Sequence, residues 1–520
     1  MDACSGWAWW WQLVITAVLF AVLGTKWWAS GKVEMKKMAP GPRGWPLAGH
    51  LLSLGSAQLT LSQLEKRYGP ILTLWLGRVP SIAISGAKET REALLECGAA
   101  LASRPRLRSR AILTGNYCIM NTSPYGPYWR SLRRALVSVV LGPSNLNKLS
   151  PVRKGIFDSF ISWLLGEASQ NEGVVPVSAP SRLAIFRILA YMCVGRHLDE
   201  STLDVLDEIA KQTLILQGLL KGDFIPLLGL FEGKKVKTRQ DYKKKQEEFW
   251  GPLIEENREI MLTDNTSTAR VGCYMHTLLS TKFEEDAQSV DGYGCRKLGN
   301  CEISALCTEF MNAGTDTTAA CVEWAMANLI YHPEIQERVF QEIHEHAGDR
   351  PLCEADLEGL PYLRAVIKET LRRHPSAHFT FLHTPTNGPC KVGGYDVPEN
   401  AMVSFHLASV LRDPNVWEEP MEFKPERFLD VEIDLTGWKK SNAVPFGLGR
   451  RICPGAKLAL LHANLLVGRL VQNFQWSPAK DGSLMDLGER NAGVVAMKNP
   501  LFARIAKRRS RSTTSAALFS

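Results

Sequence analysis

The sequence predicts a mainly helical chain with small β-sheets, an α+β arrangement, preceded by one N-terminal transmembrane helix. Three patterns predict it. Apolar residues recur at helical spacing over long stretches, 301–348 and 355–373 among them. Short β-type runs stand apart from these, at Ile71–Leu76, Ser81–Ser85 and Lys391–Val397. The chain also begins with a run from Trp7 to Thr25 that carries no charge.

That first run, extended through Trp28, spans about 33 Å as a helix at ~1.5 Å per residue. A hydrocarbon core is about 30 Å thick. Trp7, Trp9, Trp10 and Trp11 stand before the run and Trp27 and Trp28 after it, as interface anchors do. A cleaved signal peptide would want a basic n-region and a shorter apolar run; here Asp2 precedes the run and no Lys or Arg does. The basic residues follow instead, at Lys26, Lys32, Lys36, Lys37 and Arg43, so the rest of the chain is expected in the cytosol. Residues 1–30 thus read as a membrane anchor and 31–50 as a connector, where Pro40, Pro42 and Pro46 cannot continue a helix. Residues 51–505 read as the globular domain. Residues 506–520, with Lys507, Arg508, Arg509 and Arg511, read as a basic disordered tail.

The chain has 520 residues, 45% of them hydrophobic, enough for a large core. Net charge is +8, too modest for this length to argue for nucleic acid. The 12 cysteines are scattered with no C-x-x-C pair, which fits neither a disulfide scaffold nor a zinc site. They are expected to be free, in a reducing compartment.

One cysteine is set apart by its surroundings. Pro445-Phe446-Gly447-Leu448-Gly449-Arg450-Arg451-Ile452-Cys453-Pro454-Gly455 is a glycine-punctuated loop just before the apolar helical run Ala456–Leu470. Loop N–H groups and a helix N-terminus stabilise a thiolate, and glycines allow a flat ligand to come close. Three further segments carry unusual residues. Asn312-Ala313-Gly314-Thr315-Asp316-Thr317-Thr318 places poor helix formers inside an apolar helical stretch. Glu369 and Arg372 lie at i, i+3 on one helical face. Trp129-Arg130-Ser131-Leu132-Arg133 carries an aromatic residue and Arg133 one turn apart.

Phe446, Gly449, Arg451, Cys453 and Gly455 complete F-x-x-G-x-R-x-C-x-G, and on this loop the chain resembles the cytochrome P450 superfamily, most of all plant microsomal (A-type) members. The resemblance extends from residue 40 to about 505. It implies the cytochrome P450 fold and haem b, with Cys453 as the iron ligand and Phe446 and Gly449 among the cofactor-binding residues of the loop. A thiolate ligand pushes electron density to iron and favours O–O cleavage. It further implies that Thr317 positions protons for the oxygen being activated, that Asp316 relays them, and that Gly314 opens a groove beside the cofactor. Trp129 and Arg133 would hold one haem propionate, and His383, assisted by Arg451, the other. Glu369, Arg372 and Arg427, the last in Phe423-Lys424-Pro425-Glu426-Arg427-Phe428, would form a buried structural network.

The implied reaction is NADPH-driven insertion of one oxygen atom into a hydrophobic small molecule. The implied partners are a flavoprotein NADPH–cytochrome P450 reductase, with cytochrome b5 as a second candidate donor, and membrane lipid, in the endoplasmic reticulum. Arg130, Arg133, Arg134, Arg450, Arg451 and Lys457 would make the donor-facing side basic. The substrate class stays open among fatty acids, phenolics, terpenoids and tetrapyrrole derivatives; the stretch from Leu371 to His374, with His378 and His383, is similar to families acting on fatty acids and chlorophyll catabolites. A reductase-independent isomerase or dehydratase and a non-catalytic haem protein are the rival classes. Segment 224–231 either dips into the membrane, as in relatives, or lies as a loop under the core.

Overall fold

The computed structural model describes residues 37–51, 57–263, 272–284, 295–429, 434–435, 443–480, 486–491 and 493–508. The anchor at 1–30 and the tail beyond Arg508 lie outside them; the expected start of the tail at 506 is corrected, because Ala506 and Lys507 end the strand Phe502–Lys507 and Arg508 pairs with Glu337 at 2.8 Å. Among the described residues no helix is long and apolar enough to cross a membrane.

The described residues fall into two compact units. The smaller contains the chain up to Ser109, Leu219–Lys237 and Phe381–His406. Its sheet starts from the hairpin of strands Ile71–Leu76 and Val79–Ile84, with Ile71 opposite Ile84. The hairpin turns at Gly77, whose φ of 61° favours glycine. Met402–Phe405 then adds in parallel to Val79–Ile84. Leu72, Ile82 and Ile84 are fully buried, the mark of a sheet covered on both faces. The run 391–397, read from sequence as one strand, is a hairpin of Cys390–Val392 and Tyr395–Val397. Gly393 and Gly394 take φ of 58° and 76°, which turns the chain back on itself.

In segment 224–231 only the start is buried: Phe224 is 6% exposed, whereas Leu227, Leu230 and Phe231 are 55%, 76% and 82% exposed. Pro226 starts a 3₁₀ turn, Pro226–Phe231, that presents those three side chains outward. The reading as a loop under the core therefore holds for Phe224 and for Ile225, which packs on Leu107, Phe224 and Met402, and fails for Leu227, Leu230 and Phe231.

The larger unit is mainly helical. Five of its helices position the candidate site: α1 Pro127–Arg134, α2 Ser178–Val194, α3 Asn300–Tyr331, α4 Pro361–Arg373 and α5 Ala456–Asn473. Every residue of α3 from Thr318 to Ile330 is buried, as expected of a helix surrounded by others. It packs on α2, α4 and α5. The periodic stretch 301–348 is broken at His332, because Pro333 has no N–H to continue the ladder and instead starts the helix Pro333–Ala347. The stretch 355–373 is likewise divided, a 3₁₀ turn Glu354–Gly359 giving way to α4 at Pro361.

Small sheets close the unit: Phe502–Lys507 pairs with both Val174–Pro176 and Phe474–Pro478, and Glu489–Asn491 pairs with Val495–Met497. Glu323 of α3, 5% exposed, ties these strands inward. It accepts bonds from the Ser178 hydroxyl and from the N–H groups of Met497 and Leu501.

Candidate active site

The loop before α5 is shaped by its glycines. Gly447 and Gly449 take φ of 74° and 70°, in the left-handed region where a side chain would strain. The turn is closed by Cys453 N–H donating to the Phe446 carbonyl at 3.0 Å, and by Gly447 N–H donating to Val444 at 3.0 Å. Phe446 is half-buried. Gly455 caps α5. A Cβ there would stand 3.9 Å from the Cys453 sulfur, an ordinary contact that places this residue beside the thiol.

Cys453 combines two properties that rarely coincide. Its side chain is accessible, yet protein surrounds it deeply enough that desolvation pushes its thiol up. The two fit one picture, in which the sulfur faces an internal space rather than the outer surface. The Gly455 N–H and the charge of Arg133 pull the thiol in the opposite direction. A metal at this sulfur would outweigh burial and remove the proton altogether.

A cationic aromatic cluster backs the loop. The Arg451 guanidinium lies 4.3 Å from the Trp129 ring centre and that of Arg133 lies at 5.6 Å, from the other side of the sequence. Arg133 Nη1 donates to the Ile452 carbonyl at 2.8 Å, which fixes α1 to the residue beside Cys453. Arg451 donates to the carbonyls of Met120 at 3.0 Å and Ser123 at 2.6 Å. Trp129 Nε1 shares the Met120 carbonyl at 3.1 Å. These donors, expected to serve propionates, are thus engaged with main-chain carbonyls. Burial lowers Arg133, against the opposing pull of the Cys453 sulfur.

His383 belongs to the smaller unit, is 3% exposed, and bonds through Nδ1 to the Leu101 carbonyl at 2.7 Å. Its main chain pairs with Val403 at 2.8 Å in both directions.

Within α3, Ala313 is exposed although the helix around it is buried, so it too faces an internal opening. Gly314 does not provide that opening. A Cβ on Gly314 would stand 2.8 Å from Leu189 Cδ1, so its missing side chain is filled by α2, and the expected groove at Gly314 is corrected to a close helix contact. Thr317 is half-buried and donates to the Ala313 carbonyl at 2.7 Å.

Asp316 is paired: Arg182 Nε of α2 meets its Oδ1 at 2.6 Å, and the same guanidinium reaches Asp207 at 2.6 Å. Asp316 Oδ2 is buried with no hydrogen-bond partner. Arg182 was invisible to the sequence reading because 134 residues separate it from Asp316.

Glu369 and Arg372 are fully buried and joined by two bonds of 2.7 and 2.8 Å. Arg427 Nε lies 3.4 Å from the same carboxylate. Arg372 also donates to the carbonyls of Leu411 at 3.0 Å, Pro420 at 2.8 Å and Glu422 at 3.2 Å.

The residues fit a flat, thiolate-bound cofactor. An accessible sulfur deep in the fold, left-handed glycines beside it and a guanidinium pair behind the loop suit such a group, and Ala313 adds an exposed position on an otherwise buried helix. The surface hollow of about 460 Å³ between Pro151 and Leu203 shares none of these residues.

Comparison with known proteins agrees. Residues 39–503 match the family model described as Cytochrome P450. The chain is 34% identical to cytochrome P450 89A9 of Arabidopsis thaliana, over 91% of this chain and 94% of that one. It is 33% identical to a flavonoid 3'-monooxygenase of Crocosmia x crocosmiiflora, over 85% and 87%. It is 31% identical to an isoflavone 2'-hydroxylase of Glycyrrhiza echinata, over 90% and 92%. Among solved structures, a zebra fish cytochrome P450 with progesterone superposes with a TM-score of 0.72 at 26% identity, over 87% of this chain and all of that one.

Proposed function

The chain belongs to the cytochrome P450 family, a haem b monooxygenase, and from that premise we propose a membrane-held enzyme that takes electrons from an NADPH-dependent flavoprotein reductase and hydroxylates a hydrophobic small molecule. The observation that carries the reading is Cys453, accessible at the tip of a glycine-turned loop inside the fold. Bound there, haem supplies oxygen activation, with its iron on the Cys453 sulfur.

The chain's own residues supply the rest. The Gly455 amide and Arg133 steady the negative sulfur. Trp129, Arg133 and Arg451 would hold carboxylates of the macrocycle, exchanging carbonyl bonds for charge-assisted ones, and the same role is proposed for His383 on resemblance alone. Phe446 and Gly449 shape the loop. Thr317 moves its hydroxyl proton to the reacting oxygen from its place one turn above Ala313, and Asp316, oriented by Arg182, resupplies it. Glu369, Arg372 and Arg427 keep α4 and the segment 419–427 in place behind the site.

Electron delivery uses the outer side of α1 and the Cys453 loop. Arg130, Arg134, Arg450 and Lys457 are exposed there, with Arg130 and Arg450 flanking Tyr125 at 5.7 and 5.4 Å. Such a patch steers an acidic donor domain, the reductase or cytochrome b5. Residues 1–30 anchor the chain in the endoplasmic reticulum membrane with the globule in the cytosol. Leu227, Leu230 and Phe231 rest against the same lipid. Two relatives are named for flavonoid and isoflavone hydroxylation, so aromatic ring hydroxylation is the first substrate class to screen.

The test is a reduced carbon monoxide spectrum of wild type and Cys453→Ala, followed by NADPH oxidation with a purified reductase. Loss of the thiolate-type Soret band in the variant, with reductase-dependent turnover in wild type, is expected. A surviving band would move the ligand to another cysteine. Product formation from peroxides without reductase would favour an isomerase or dehydratase.

A further inference from the structure

Ser376 belongs to none of the motifs, yet its hydroxyl donates to the main-chain carbonyl of Thr317 at 2.8 Å. A carbonyl has two lone pairs, so this bond adds to the helical ladder without replacing it. It ties the turn of α3 that carries the Thr317 hydroxyl to the segment leaving α4.

That segment is itself clamped from several sides. The Ser376 carbonyl accepts from Val495 N–H at 2.9 Å. Glu489, in the strand paired with Val495–Met497, stands between the two histidines that flank Ser376. His374 Nδ1 lies 3.4 Å from Glu489 Oε1 and His378 Nε2 lies 3.1 Å from Oε2. Both imidazoles are 2% exposed. Arg412 closes the cluster, 2.5 Å from Glu489 Oε1 and bonded twice to the Arg373 carbonyl, at 3.0 and 2.7 Å.

The His374 ring stacks flat on Trp324, with centroids 3.9 Å apart and planes at 4°. Trp324 Nε1 donates to the Val495 carbonyl at 3.2 Å. Trp324 follows Thr317 by about two helical turns, so both lie on one face of α3.

A half-buried carboxylate set among two imidazoles and a guanidinium is more than a helix stop needs. Burial alone would raise Glu489; contact with His374, His378 and Arg412 holds it well below the usual carboxylate range instead. Glu489 therefore stays ionised at ordinary pH, while burial keeps the His374 ring beside it neutral.

We propose that Ser376 is a positioning residue for Thr317, and that Glu489, through His374 and His378, is the clamp that sets Ser376. The inference rests on the proton-delivery role assigned to Thr317. Its consequence is a partition. In productive turnover one oxygen atom enters the substrate and the other leaves as water. When the Thr317 turn is loose, the same two electrons from NADPH and two protons reduce dioxygen to hydrogen peroxide, and the substrate leaves unchanged.

The experiment uses the full-length holoprotein with a purified reductase and a ligand that shifts the haem spectrum and is turned over. It compares wild type with Thr317→Ala, Ser376→Ala, Ser376→Thr and Glu489→Gln. Ser376→Ala and Glu489→Gln are expected to keep the thiolate-type carbon monoxide band while peroxide per NADPH rises about threefold or more, since small misplacements of a reacting group are costly. Ser376→Thr keeps a hydroxyl and is expected to stay near wild type. Hydrogen exchange supplies an arm that needs no turnover, with amides between Ala313 and Cys321 exchanging faster in Ser376→Ala.

Wild-type peroxide and wild-type exchange in Ser376→Ala, beside raised peroxide in Thr317→Ala, would overturn the proposal and leave the role of Thr317 standing. Loss of the thiolate band in Ser376→Ala would also overturn it, by showing a general structural role. Unchanged peroxide in Thr317→Ala would overturn the role of Thr317, and the proposal with it.

Discussion

Asp316 shows how one side chain can be half committed. Its Oδ1 is bound to Arg182 at 2.6 Å, while Oδ2 is buried without a partner. A buried carboxylate oxygen left unpaired is costly, and active sites are where such costs are tolerated. Arg182 is shared with Asp207, which is in turn paired to Lys211 at 2.7 Å, so the chain of charges runs from α3 across α2 to a neighbouring helix. The pairing orients Oδ1 and leaves Oδ2 without a partner, which is what the proposed relay role asks of it. Asp316→Asn keeps the shape and loses the acid. Turnover is expected to fall by about 100-fold, the middle of the range for general acid–base catalysis, with a larger solvent deuterium isotope effect. The carbon monoxide spectrum should not change, because Asp316 does not touch the Cys453 loop. Wild-type turnover of Asp316→Asn with the reductase would show that protons travel by another route.

Elements are held to one another by buried charge more than sequence spacing suggests. Glu369 and Arg372 at i, i+3 look like any exposed helical pair, yet both are fully buried and Arg372 grips three carbonyls between Leu411 and Glu422. Removing one partner of such a pair leaves the other charge stranded, at about 3–5 kcal/mol. Arg372→Ala is therefore expected to give little soluble haem-loaded protein. Arg372→Lys should rescue poorly, since an ammonium cannot match a fork of five donors. Soluble yield and melting temperature check both, and near-wild-type melting of either variant would contradict the assignment. At this scale much of the sequence reading held: the strand Ile71–Leu76 and the start of α5 stand where patterning put them. The cysteine loop was legible because glycine, proline and cysteine carry their meaning locally. Gly314 was misread, because only tertiary packing reveals that Leu189 fills its space. Arg182, Ser376 and Glu489 were missed for the same reason, each acting on residues far away in the chain. Segment 224–231 was undecided from sequence, since apolar residues suit a core and a lipid surface alike. Its exposed Leu227, Leu230 and Phe231 now carry a prediction. In a chain lacking residues 1–30, changing all three to serine should weaken flotation with phosphatidylcholine vesicles by well over tenfold, because each apolar side chain withdrawn from water contributes about 1.5–3 kcal/mol. Equal flotation of both forms would place the lipid contact elsewhere.

The whole molecule carries several histidines that fold only as neutral rings, and this sets how it responds to acid. Burial holds His374 down to about 4, and burial with the charge of Arg153 holds His462 down to about 3. Burial lowers His276 in the same direction. In the unfolded chain each would titrate near its ordinary value of about 6.5. Between that value and their folded values the unfolded chain binds more protons than the folded one, so stability falls as pH falls. The loss begins near pH 6.5 and, once well below it, amounts to about 1.4 kcal/mol per pH unit each for His374 and His462 until their folded values are reached. Glu489 works at lower pH: held down by its neighbours, it adds stability above the ordinary carboxylate range, and that stability is lost progressively as pH falls from this range toward its own lowered value. Acid should therefore weaken the protein well before its carboxylates titrate. His462 offers the clean test, because it lies in the buried face of α5 with its Nε2 unpartnered, and leucine can fill the space without a proton to gain. His462→Leu should melt near the wild-type temperature at pH 7.5 and above the wild-type temperature at pH 5, the pH-dependent part of the loss shrinking by one proton's share. Parallel decline of wild type and variant between those pH values would mean that His462 is not buried in its neutral form.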